Sequence, residues 1–162
     1  MQNMSRRADS SPVSVTNLHP KIQISRNKIS VLTRKVFKLL RLNKELHITF
    51  VNDRDIKRMN KLFHGTNTTT DVLAFERPAN WPNKTNTNQF LGEVVISVDR
   101  AKKYAKRFHA DPDEELFRYV VHGLLHLLGE RDHQPKLKKK MFRRQETLLQ
   151  KVGPFDQLMR AR

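Results

Sequence analysis

Residues 120–133 read Val120-Val121-His122-Gly123-Leu124-Leu125-His126-Leu127-Leu128-Gly129-Glu130-Arg131-Asp132-His133. Up to Gly129 the run is apolar except at its two histidines. A long apolar run that begins after acidic residues and stops at a glycine predicts a buried helix over about 113–128, started by Asp111 or Asp113. His122 and His126 stand four apart, so they share one helix face about a turn apart. Two imidazoles so placed can bind one metal ion, whereas unpaired they are costly to keep in an apolar run. Gly129 lets the chain turn back, and Asp132 and His133 follow within reach of the same point. Either can supply a third ligand. Three protein ligands with a fourth position open is the pattern of catalytic zinc.

A helix this apolar needs layers around it. Leu46-His47-Ile48-Thr49-Phe50-Val51 alternates and is rich in β-branched residues, which predicts a strand. Leu91 to Ser97 and the short run Asp71 to Phe75 predict two more, and Val13 to Val15 a short edge strand. Apolar residues at Ile29, Leu32, Val36, Leu39 and Leu40 predict a helix over about 26–41 capped by Ser25. Further helices are expected over about 54–62, capped by Asn52 or Asp53, over about 99–109, capped by Ser97 or Asp99, and over about 135–151. His64-Gly65-Thr66-Asn67 reads as a loop. The fold class is therefore α+β: one domain with a central mixed β-sheet of about four strands, helices packed around it, and the metal site on a central helix. The expected organisation is a disordered N-terminus over 1–12, a folded domain over 13–152 and a tail over 153–162. A polar, Pro/Asn-rich loop over 77–90 contains Trp81, expected to anchor it against the fold.

The chain has 162 residues, the size of one domain with a substantial core. It has no cysteine, which excludes disulfides, thiolate metal sites and cysteine nucleophiles. No stretch approaches a membrane span, and no apolar segment follows Arg6-Arg7 to form a secretory signal. A soluble cytoplasmic protein with no membrane partner is expected. Thirty-two Lys and Arg face sixteen Asp and Glu, a net charge of +16. Basic residues concentrate in 1–44 and again in 135–151, where Lys136, Lys138, Lys139, Lys140, Arg143, Arg144 and Lys151 stand against Glu146. Such clusters steer polyanions, so nucleic acid is the expected partner.

Zinc proteases of the H-E-x-x-H type carry a glutamate directly after the first histidine as general base. Here that position is Gly123, which argues against a protease.

The run H-G-L-L-H-L-L-G resembles the signature H-G-x-x-H-x-x-G-x-D-H of the YbeY endoribonucleases, bacterial factors of ribosomal-RNA maturation. Thr70-Asp71-Val72-Leu73-Ala74-Phe75 is similar to that family's P-T-D-V-L-S-F strand, and Leu91-Gly92-Glu93-Val94-Val95-Ile96-Ser97 to its L-G-D-I-x-I-S strand. Order and spacing agree over roughly residues 13–150. The resemblance implies an α+β domain with a zinc-type site of three ligands, one ion per chain, and cleavage of single-stranded RNA. It also implies processing of the 3′ end of small-subunit ribosomal RNA, ribosome quality control, and the small ribosomal subunit and its proteins as partners. The sequence departs from the pattern in three places. The family's third ligand stands six residues after the second histidine, where this chain has Asp132, with His133 one further on. His64 stands where the family usually has an arginine, a weaker phosphate contact that depends on pH. Thr69 replaces a proline.

The expected function is a metal-dependent hydrolase of RNA phosphodiester bonds. His122 and His126 are the catalytic metal ligands, with Asp132 or His133 as the third. His64, Asp71 and Glu93 are candidates for contacting RNA or for orienting a ligand. The alternative is a non-catalytic RNA- or ribosome-binding factor whose zinc is structural.

Overall fold

A computed structural model describes residues 11–77 and 89–162. The N-terminal residues 1–10 and the loop segment 78–88, with Trp81, lie outside the described residues. In chain order the elements are β1 (Val13–Asn17), β2 (Ile22–Ile24), α1 (Arg26–Leu39), β3 (Glu45–Val51), α2 (Asp53–His64), β4 (Val72–Glu76), β5 (Phe90–Ser97), α3 (Val98–Phe108), α4 (Pro112–Leu127), α5 (Pro135–Val152) and β6 (Met159–Ala161). The main sheet has the order β1-β3-β5-β4. β1, β3 and β5 run parallel, and β4 is antiparallel to β5. The sheet is mixed and four-stranded, as the sequence predicts.

Strand alternation sorts this sheet into two faces. Leu46, Ile48 and Phe50 of β3 and Val94 and Ile96 of β5 are fully buried against α1, α3, α4 and α5. The opposite parity, with Val51, Leu73 and Val95, packs against Ile56 of α2 in a smaller cluster. α4 lies close on the larger face because position 123 has no side chain. A Cβ there would stand 2.4 Å from Val94 Cγ1 and 3.0 Å from Val72 Cγ1. The glycine that stands where a protease has its base is thus a point of close contact between this helix and the sheet.

Helix starts follow the expected chemistry. The side chain of Asn52 accepts from the Asp55 amide at 2.8 Å, and Ser97 Oγ from the Arg100 amide at 3.1 Å. Asp111 accepts from the Asp113 amide at 2.9 Å. Ser25 occupies the cap position of α1 without a side-chain cap bond. His64 belongs to the last turn of α2, and Gly65, at φ 70°, ends that helix.

Two features have no periodic signal in the sequence. β2 and β6 pair as a second, two-stranded sheet, with Gln23 opposite Arg160. The segment expected as a tail is therefore packed: Leu158 is 1% exposed and Phe155 stacks on Phe117 at 5.4 Å. Second, His19 is buried and organises a polar hub. Its Nε2–H donates to Asp99 Oδ1 at 2.9 Å, and its Nδ1 accepts from the amides of Lys21 and Ile22. Asp99 Oδ2 in turn accepts from the Asp53 amide at 2.8 Å. Asp53 accepts from Ser97 Oγ at 2.6 Å and pairs with Lys103. Burial pushes the Asp53 pKa up, but Lys103 and Ser97 outweigh it and hold the carboxyl below its ordinary value.

Candidate metal centre

α4 is helical through Leu127, and Gly129, at φ 96°, turns the chain back beneath the last turn. The turn is fastened on both sides. The Glu130 amide donates to the Leu125 carbonyl at 3.1 Å, and Arg144 of α5 reaches Glu130 Oε2 at 3.1 Å. This brings Asp132 Oδ2 to 3.7 Å from His122 Nε2 and 3.5 Å from His126 Nε2. The two Nε2 atoms are 3.1 Å apart. One ligand atom from each of the three residues falls within 4.8 Å of the others.

The protonation pattern follows from the outer partners. His126 Nδ1 lies 3.1 Å from the Glu130 carbonyl, which can only accept, so that nitrogen carries the ring proton. His122 Nδ1 lies 2.8 Å from Gln145 Oε1. Gln145 directs its NH₂ toward the Glu146 carboxylate, which fixes the amide oxygen on the histidine side. His122 therefore also carries its proton on Nδ1. Burial lowers its pKa below the ordinary 6.5, with His126 adding to the effect against the opposing pull of Gln145 and Asp132. The imidazole is held neutral. With both Nδ1 atoms committed outward, the two Nε2 atoms face each other at hydrogen-bond distance with the Asp132 carboxyl group beside them. Three inward-facing donor atoms of this kind can share one cation. The N, N, O composition fits a borderline ion such as zinc.

Behind His122 stands a chain of charge-assisted bonds between α4 and α5. Arg118 Nε donates to Glu146 Oε1 at 2.7 Å, and its terminal nitrogens reach Glu146 Oε2, Glu115 Oε2 and Glu114 Oε1. Glu146 thus accepts from both Arg118 and Gln145, which meet at its Oε1. The outer partners of the histidines are therefore Gln145 and the Glu130 carbonyl. Neither stands out in the sequence. A glutamine in a lysine-rich helix carries no signal until that helix is docked, and a carbonyl carries none at all.

The other candidates lie elsewhere. His133 is exposed and outside the three-residue group. Glu93 accepts from Thr49 Oγ1 at 2.7 Å. Its parity in β5 puts it with Val95, across the sheet from α4. Asp71 pairs with Arg100 at 3.0 Å, and its charge reaches His122 only as a minor influence. His64 is exposed with its ring against Phe75, centroids 6.1 Å apart. Among the described residues, no helix is long and apolar enough to cross a membrane.

Fold and site together define a mixed-sheet α+β domain whose central helix and the turn after it carry a three-residue group able to hold a metal. The family described as Endoribonuclease YbeY matches residues 14–153. A protein of that name from Myxococcus xanthus is 42% identical over 110 residues, which span 67% of this chain and 37% of the relative. The Brevibacillus brevis protein of the same name is 33% identical over 157 residues, 87% of this chain and 98% of the relative. The solution structure of a Thermotoga maritima protein matches with a TM-score of 0.58 at 24% identity, covering 86% of this chain and 88% of the other, which supports the fold. The chain belongs to the YbeY endoribonuclease family.

Proposed function

We propose that the chain is a zinc-dependent endoribonuclease that cuts single-stranded RNA. His122, His126 and Asp132 hold one ion per chain. Its substrate is ribosomal RNA, in maturation of the small-subunit 3′ end and in ribosome quality control. It works in the cytoplasm on the small subunit and its proteins, with residues 13–152 as the catalytic domain. The observation that carries the reading is the pair of facing imidazole nitrogens, 3.1 Å apart, each with its other nitrogen already committed.

When bound, such an ion supplies Lewis acidity and lowers the pKa of a coordinated water toward ~7. The chain supplies the rest. His122 and His126 turn their Nε2 atoms inward. Asp132 brings the compensating negative charge and leaves the outer side of the group open. Gln145 and the Glu130 carbonyl fix the ring orientations, so nothing need reorganise when RNA arrives. The basic faces of α1, α3 and α5 attract the phosphate backbone without reading sequence.

The test is cleavage of a labelled single-stranded RNA, with zinc content read on the same sample. Chelated, zinc-restored and His126→Ala proteins are run beside it, each checked for fold by circular dichroism. Cleavage that follows zinc and disappears in the folded variant supports the enzyme. A folded, zinc-loaded protein that binds RNA and never cuts it makes the chain a ribosome-binding factor instead.

A further inference from the structure

We propose that Phe142 is a stacking seat for one nucleobase of the bound single strand. The phosphate flanking that base lies at the His122–His126–Asp132 group, and Lys138 and Lys139 take the next phosphate along. The inference rests on the reading of the chain as a nuclease for single-stranded RNA, and adds how a strand is held there.

A cavity of about 390 Å³ opens beside the candidate metal centre. Its lining includes His122, Asp132 and Gln145 together with Phe142, Lys138 and Lys139. The α5 residues among them recur at helical spacing, so they form one stripe. Gln145 is the residue that holds His122. Phe142 lies one turn earlier, about 4.5 Å along the axis, and Lys139 and Lys138 about 9 and 10.5 Å from Gln145. The stripe runs from the ligand cluster, past an aromatic ring, to two ammonium groups.

Phe142 is 57% exposed, although it stands on a helix whose Met141, Leu148 and Leu149 are buried. A lone exposed phenylalanine needs no explanation. Phe63 and Tyr104 are also exposed, yet neither lines this cavity. Phe142 differs in sharing it with two of the three candidate ligands. Among the described residues, no ion pair engages the Lys138 or Lys139 side chain. An apolar ring flanked by unpaired cations suits a ligand that alternates flat apolar faces with negative charge. A single-stranded nucleic acid is such a ligand. An apolar protein segment would leave the ammonium groups without counter-charge. Every base has a π-face, so the seat tolerates any sequence.

The experiment uses the zinc-loaded full chain and a single-stranded RNA carrying 2-aminopurine at each position in turn. At one position the fluorescence is quenched on binding, by stacking. Phe142→Ala and Phe142→Leu, the latter keeping apolar bulk without the ring, lose that quenching, and Phe142→Trp keeps it. The Ala variant raises KM for cleavage roughly 5- to 150-fold and moves kcat much less. An abasic nucleotide at the quenched position weakens binding to the wild type and does not weaken Phe142→Ala further. Unchanged quenching and KM in the Ala and Leu variants overturn the proposal and leave this face to a protein partner. If the wild type cuts no RNA, the nuclease reading fails, while the quenching ladder still decides whether a base sits on Phe142.

Discussion

Gln145 Oε1 lies 2.8 Å from His122 Nδ1, so a residue of α5 sets the orientation of a candidate ligand on α4. Gln145→Ala should leave the helix in place, since it removes one polar side chain from the α4–α5 seam. It should weaken zinc binding by about 10- to 100-fold. Competition against a chromogenic chelator measures this directly. An affinity equal to that of the wild type would show that the ring is positioned by packing alone.

Asp132 and His133 are adjacent in sequence and unequal in space. Asp132→Ala should lower zinc affinity at least tenfold and abolish cleavage. His133→Ala should change either by less than about threefold, because its exposed ring stands outside the group. The reverse ranking would mean that the turn after Gly129 adopts another register when metal is bound.

Gly123 is a close approach of α4 to the sheet. A methyl group there meets Val94 Cγ1 at 2.4 Å, and both branched neighbours are confined. Gly123→Ala should cost about 1–3 kcal/mol despite the better helix propensity of alanine. It should also displace His122, the preceding residue, and so reduce zinc affinity. Urea denaturation of the metal-free protein measures the first effect, and a stabilised variant would contradict the packing argument.

Asp53 makes the stability sensitive to acid. Its folded pKa lies below the ordinary 3.8. The unfolded chain therefore binds a proton first as pH falls. Its stabilisation is complete above pH 3.8 and is lost as pH drops through the folded value. Asp53→Asn should cost roughly 1–2 kcal/mol at pH 7 and clearly less at pH 3. Urea midpoints of both proteins at the two pH values test this. An equal difference at both would assign the loss to geometry rather than charge.

Much of the fold was legible because its elements repeat. The apolar run of α4, the alternation in β3 and β5, and the side-chain caps at Asn52, Ser97 and Asp111 are local signals that tertiary packing reinforces. The placement of Glu93 was also available. In β5 it shares parity with Val95, while Val94 and Ile96 face the helix that carries the histidines. The acid beside a glycine draws attention, but strand alternation puts it on the wrong face. His19 was not legible. Its partner Asp99 lies far along the chain, and no periodicity links a loop histidine to the first turn of a helix. The pairing of β2 with β6 was hidden for the same reason: strands of three residues, joined across nearly the whole chain, leave no pattern to count.

All three candidate ligands fall between positions 122 and 132, on one helix end and the turn that follows it. An ion held there closes only a short ring of chain. Short closures remove little conformational freedom from the unfolded polypeptide, in contrast to clips that join distant segments. The sheet and the hub around His19 lie outside that ring. Removing zinc should therefore leave the far-ultraviolet circular dichroism intact and lower the melting temperature only by what the lost binding equilibrium contributes. A centre built this way would be a socket on a finished scaffold, one that can be emptied and refilled, rather than a rivet on which the scaffold depends.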